Sequence, residues 1–289
     1  MKKISVFIEK LRIILSQVKP SVYASALSFH VTMTFFPLLI CLYTLLGNNY
    51  DMLMRILKIS EGILAKEILD LMYGFAQYVA ENNSPAMMAA GMLILITSAS
   101  ASVRMIHWAV GKMQGGDRYR DTWEMVISFL FSAVLLAAIY FAVVVMFTGK
   151  DFIELVNRYL PYLEISIKWN VIRYFILGAI FFVLLIFLFA TAKRRTDDYS
   201  ILPGSIIAAV AVVLTCVFFS AIISQSSNYS LVYGSLASII LMMLWLYWCS
   251  YVIIYGAAIN IAVRDTKAEL LNMIIVEERK KNAREKRRS

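Results

Sequence analysis

The chain has 289 residues, 61% of them hydrophobic and only 16% charged, with a mean hydropathy of +0.72. Soluble domains carry about 25% charged residues, so these proportions exclude a water-soluble globular protein of this size. On a soluble protein the net charge of +9 would point to nucleic acid. Here the basic residues gather on alternate loops, and membrane topology explains them better.

Residues 1–19 carry Lys2, Lys3, Lys10, Arg12 and Lys19, with Ile4, Phe7, Ile8, Leu11, Ile14 and Leu15 at helical spacing. This is a basic amphipathic helix suited to an anionic leaflet, and not a cleavable signal, because the apolar segment behind it is too long. The first crossing lies in the uncharged run Pro20 to Tyr50, at about Ala24 to Leu46. It contains Ser25, Ser28, His30, Thr32 and Thr34, and then Pro37, where a helix is expected to kink. From Asp51 to Asn83 an apolar stripe at three-to-four spacing predicts amphipathic surface helices, with a break at Glu61-Gly62.

The second crossing fits the uncharged run Asn82 to Val103, starts near Pro85, and ends in Ser98, Ser100 and Ser102 before Arg104 and His107. A basic loop follows, then a third crossing in the run Met125 to Gly149. A short amphipathic helix over Phe152 to Leu160 stops at Pro161. The fourth crossing follows Lys168 and Arg173 and ends at Lys193-Arg194-Arg195. From Tyr199 to Val263 there is no Asp, Glu, Lys or Arg at all. That run holds two crossings of about 20 residues each, separated by the polar cluster Ser224-Gln225-Ser226-Ser227-Asn228. A hydrophilic tail rich in Lys and Arg closes the chain.

With both termini in the cytoplasm, about 21 of the 28 basic residues fall on the side that the positive-inside rule wants basic. The expectation is an all-α integral membrane protein with six transmembrane helices and extra amphipathic surface helices. Its parts are an N-terminal basic helix over 1–19, a six-span domain over 20–263 and a basic cytoplasmic tail over 264–289.

Certain residues carry a family resemblance. Ala26-Leu27-Ser28-Phe29-His30 through Phe36-Pro37-Leu38-Leu39 resembles the first-helix signature of the YihY/BrkB family of bacterial inner-membrane proteins. Leu202-Pro203-Gly204 resembles its fifth-helix entry. Asn228-Tyr229, Tyr233-Gly234-Ser235-Leu236, Leu244-Trp245-Leu246-Tyr247 and Gly256-Ala257 resemble its last loop and sixth helix. The chain departs from the family pattern at Ala258, where members often carry an acidic residue, and has no Asn-Arg pair placed around His107. The resemblance implies six transmembrane helices and a bacterial cell (inner) membrane location. It also carries older labels: ribonuclease BN, virulence or serum-resistance factor, and a role in moving lipid-like molecules.

The residues themselves hold no HExxH, GxSxG, P-loop or CxxC pattern. Cys41, Cys216 and Cys249 sit in apolar blocks as packing residues. Asp117, Asp121, Glu124, Asp197 and Asp198 are the acids nearest the cytoplasmic side, and a solvated loop charge is their plain reading. These features favour a non-enzymatic protein that transports or flips a lipid-like, amphipathic anion. The alternatives are a membrane-associated hydrolase, after the legacy ribonuclease label, and a structural envelope protein. No cofactor or metal is expected. The expected partners are membrane lipids with no specific nucleic acid, and self-association into an oligomer is left open.

Polar groups inside a bilayer converge on one another or on water. The pathway candidates are therefore Ser25, Ser28, His30, Thr32, Thr34 and Pro37 of the first span, and Ser98, Ser102, Arg104 and His107 at the second. Tyr233 and Asn260 join them from the last span. Together they predict a polar cavity between the first two crossings with Arg104 at its inner mouth. For the hydroxyls, bonds to their own backbone compete with this reading. Gly256 and Asn260, at i and i+4, predict a close helix contact.

Overall fold

The computed structural model describes residues 2–59, 66–116, 125–138, 141, 169–193, 199–224 and 236–286, and all regular structure among them is helical. The helices are α1 (Lys2–Val18), α2 (Pro20–Leu45), α3 (Tyr50–Ile59), α4 (Lys66–Glu81) and α5 (Pro85–Met113). They continue with α6 (Met125–Ala138), α7 (Trp169–Ala192), α8 (Leu202–Ser224) and α9 (Leu236–Lys286). Among the described residues, four helices are long and apolar enough to cross a membrane: α2, α5, α8 and α9. Two shorter apolar helices accompany them, Met125–Ala138 and Gly178–Ala192. The chain is thus an all-helical membrane protein.

Local chemistry sets the helix ends. Lys19 turns the chain with a positive φ of 51° between α1 and α2, and Pro20 opens α2 where its missing N–H costs nothing. Gly47 at φ +65° ends α2: its N–H reaches the Thr44 carbonyl at 2.9 Å, and the Asn48 N–H reaches the Tyr43 carbonyl at 3.0 Å. Ser84 caps α5 by accepting from the Met87 N–H at 3.2 Å, with Pro85 in the first turn. Pro37 is buried within α2, which continues through it as one helix. The break expected at Glu61-Gly62 falls between α3 and α4, on residues outside those described, as does the amphipathic segment at 152–160.

α2 packs most extensively on α5, and α9 on α8 and then on α2. Two apolar cores result. One lies at the end of the bundle shared by both chain termini and joins Val18, Leu27, Ile106, Leu188 and Ile261. The other lies where α3 and α4 cover α2 and α9, and joins Leu39, Leu57, Ile68, Val79 and Met242. α3 and α4 bury Leu53, Ile68 and Val79 completely, so the stripe read from the sequence faces protein.

α5 runs past Val103 to Met113, because Ile106, His107, Val110 and Met113 of its last turns are buried against neighbours. α9 continues unbroken from Leu236 to Lys286, so the hydrophilic residues from Arg264 to Lys286 extend the last apolar helix. α1, which the sequence would lay on a leaflet, packs Val6, Ile14 and Val18 on α9 and α5. The Lys10 ammonium meets the Glu269 carboxylate at 2.5 Å and is held above its ordinary range, chiefly by that hydrogen bond. On the lysine side the pair's contribution is present at neutral pH and falls away as pH climbs above lysine's ordinary 10.5.

Candidate functional site: a glycine–asparagine lock and a central apolar cavity

Where α8 begins, its packing on α9 is built on glycine. The Gly204 N–H donates to Asn260 Oδ1 at 2.7 Å. A Cβ at Gly204 would stand 2.0 Å from the Gly256 carbonyl oxygen, and one at Gly256 would stand 2.6 Å from the Ala208 Cβ. The two backbones are in direct contact there, which only glycine permits. Asn260 is 2% exposed. Its carbonyl supplies a partner for one of the N–H groups that the first turn of α8 leaves unbonded. Asn260→Leu is expected to strand that N–H and cost about 1–3 kcal/mol. Thermal unfolding of the detergent-solubilised protein measures it.

Other polar side chains tie the same end together. His107, also 2% exposed, lies 3.1 Å from Thr191 Oγ1 through Nε2 and so links α5 to α7. Gln114 Nε2 donates to the Tyr199 hydroxyl at 2.9 Å, and Lys193 Nζ donates to the Tyr199 carbonyl at 3.0 Å. Lys193 and Arg264 both approach the Tyr199 ring, at 4.8 and 5.4 Å from its centroid. Arg264 Nε also pairs with Asp265 at 2.7 Å.

Deeper in the bundle lies a cavity of about 340 Å³. Six helices line it: Val31 and Thr34 of α2, Ser102 and Ile106 of α5, Phe131 of α6, Phe181 of α7, Val212 of α8, and Leu246 and Ser250 of α9. Its wall is almost wholly apolar. Among the described residues, the cavity beside the first two crossings is thus an apolar one.

The hydroxyls explain the difference, because each bonds its own helix. Ser25 donates to the Val22 carbonyl at 3.0 Å, Ser28 to Ser25 at 2.9 Å, Thr32 to Ser28 at 2.8 Å and Thr34 to His30 at 2.7 Å. Ser102 donates to the Ser98 carbonyl at 3.0 Å. A hydroxyl satisfied this way can sit in an apolar setting without water.

The predicted residues thus separate. Thr34 and Ser102 line the cavity. Ser28, Thr32 and Pro37 are buried in helix packing, Ser25 is exposed and Ser98 is half-buried. His30 is half-buried, edge-on to Phe29 at 5.5 Å. Arg104 is half-buried and donates from Nη1 to Ser100 Oγ at 2.6 Å. His107 bonds across to Thr191 and Asn260 to Gly204, away from the first-span hydroxyls. Tyr233 and the acids Asp117, Asp121, Glu124, Asp197 and Asp198 lie outside the described residues. The sequence reading missed Ser250 and the apolar lining, because a Leu or Val facing a cavity reads like one facing a neighbour.

A family model described as virulence factor BrkB matches residues 15–280. No match was found among curated proteins or among solved structures. With nearly the whole chain covered, including the α8 entry and the Gly256–Asn260 turn that make the glycine–asparagine lock, the chain belongs to the BrkB virulence-factor family.

Proposed function

We propose that the protein moves an amphipathic, lipid-like anion across the bacterial inner membrane, using six crossings with both termini in the cytoplasm. The central cavity carries this reading. Its volume of about 340 Å³ falls within the range of small-molecule sites, about 300–1,000 Å³. Its wall suits an acyl or prenyl chain and offers a polar headgroup little. A headgroup would be received instead by the cationic end where Lys193 and Arg264 meet at the Tyr199 ring, with Arg104 standing apart from them on α5, two residues from the cavity-lining Ser102. The Lys and Arg bias supports the cytoplasmic placement of that end. α6 and α7 supply the remaining two crossings by their apolar segments.

The test is transport in proteoliposomes with a headgroup-labelled anionic phospholipid, read by quenching of outer-leaflet label. Ser250→Phe fills the cavity from α9 and is expected to slow movement at least tenfold while the protein still inserts and elutes as one species. RNA added to the same preparation is expected to stay intact. Movement no faster than in protein-free vesicles, or full movement by the Ser250→Phe variant, would overturn the proposal.

A further inference from the structure

We infer that a hollow between α4, α2 and the start of α9 binds a methylated ammonium group, held by aromatic rings and the Asp70 carboxylate. The hollow measures about 580 Å³ and opens outward. Its rings Phe36 and Phe75 belong to the apolar core formed where α3 and α4 cover α2 and α9, and Tyr199 belongs to the other core. The site therefore stands apart from the central cavity and the cationic end, and does not depend on the transport proposal.

α4 builds one side of it. Asp70, Gly74 and Tyr78 stand at i, i+4 and i+8, and so lie along one side of the helix. At 1.5 Å per residue they span about 12 Å along its axis. Gly74 is the middle of that row. A Cβ there would meet nothing within 4 Å, so packing does not require glycine at this position. Its bare surface keeps the space between Asp70 and Tyr78 empty. Rings close that space. The Phe75 centroid lies 4.9 Å from that of Phe36 on α2, with the two planes at 67°, and 6.3 Å from that of Tyr78. All three rings line the hollow, with Leu71 and Ile239 beside them. Tyr78 is 54% exposed, so burial is not what holds its ring there.

The lining selects the ligand. Among the described residues no cation pairs with the Asp70 carboxylate, and Lys66, one turn before it, makes no ion pair with it. Aromatic rings carry negative faces. Three of them beside a carboxylate attract a cation and disfavour a phosphate. A calcium ion takes about six to eight oxygen ligands, and the hollow offers one carboxylate. A primary ammonium such as that of lysine is compact and strongly hydrated. A methylated ammonium instead spreads its charge over apolar methyl groups that rings can touch, which is how aromatic cages recognise quaternary ammonium. A plain acyl chain would fit the rings but would desolvate Asp70 and leave it unpaired.

The experiment uses full-length protein in nanodiscs of phosphatidylglycerol alone, with radiolabelled choline as the probe. Saturable binding is expected, displaced by tetramethylammonium. The neutral carbon analogue of choline, with a tert-butyl group in place of trimethylammonium, should displace it at least tenfold less well. Asp70→Asn should weaken binding at least tenfold, and Tyr78→Leu at least threefold. Gly74→Leu fills the hollow from its floor and should abolish binding. Its unfolding midpoint should stay at or above that of the wild type, because glycine destabilises a helix interior. If Tyr78 and its neighbours were only aromatic anchors at the membrane surface, neither Asp70→Asn nor the charge of the probe would matter. Replacing part of the phosphatidylglycerol by phosphatidylcholine separates two sources of the same group. Competition with choline assigns the site to a lipid headgroup, and undiminished choline binding assigns it to a free solute. Absence of saturable binding, equal displacement by the neutral analogue, or full binding by Asp70→Asn or Gly74→Leu would each overturn the inference.

Discussion

Among the described glycines whose surroundings are resolved, Gly204→Ala should destabilise the protein more than any other single methyl addition. The new Cβ would stand 2.0 Å from the Gly256 carbonyl oxygen and 2.6 Å from the Asn260 Cγ. Neither can yield cheaply: one is helix backbone, and the other is held by the Gly204 N–H itself. α8 and α9 must separate at this point. Overpacking of this kind costs about 1–3 kcal/mol, and the stretched Asn260 bond adds about 1 kcal/mol. The expected loss is about 3 kcal/mol, read as a lowered unfolding midpoint in detergent and a reduced yield of monodisperse protein. Gly178→Ala is the matched control. A Cβ there meets nothing within 4 Å, so the change should be neutral or stabilise α7 by about 0.5–1 kcal/mol through helix propensity. If the two variants melt together, the close α8–α9 approach is not what holds the pair.

The same contact shows how far the sequence could be read. The uncharged stretch from Tyr199 to Val263 announces two apolar helices, and Gly256 with Asn260 one turn later announces a close crossing. The partner of that crossing, Gly204, stands in a quoted motif, Leu202-Pro203-Gly204. What joins the two is a hydrogen bond across 56 residues of sequence, and no periodicity reports that. The polar residues of α2 and α5 misled for a specific reason. A Ser or Thr in a spanning helix has two ways to satisfy its hydroxyl: a partner across the bundle or the carbonyl a turn behind. Composition cannot separate them, and Ser28, Thr32, Thr34 and Ser102 all take the second. The cavity consequently formed where the apolar faces of six helices fail to meet, which no stripe of polar residues marks. α1 was legible as amphipathic, but Val6, Ile14 and Val18 chose a protein surface over a lipid one.

Arg104→Ala is expected to leave insertion and folding intact and to lower movement of an anionic lipid at least tenfold, with a much smaller effect on a neutral one. Arg104 is twenty residues into α5, some way short of its inner end at Met113. A charge at the centre of a membrane helix costs about 2.5–3.5 kcal/mol on insertion scales. Snorkelling reduces that cost but leaves a residue that Leu would replace to advantage if stability alone mattered. The guanidinium is half-buried and engages Ser100 Oγ with one nitrogen at 2.6 Å. Five N–H donors on a planar fork exceed what one serine can accept, and the next residue but one, Ser102, lines the cavity. A phosphate or carboxylate passing between the cavity and the inner end would meet this group first. Arg104→Lys keeps the charge but loses the two-pronged geometry, so it should recover only part of the rate. His30→Ala on α2 serves as the control: it removes a half-buried polar side chain of the first span and keeps the cation, and should cost less than Arg104→Ala. Should Arg104→Ala move anionic and neutral lipids with equal and undiminished speed, the arginine is a snorkelling residue and the headgroup is handled elsewhere.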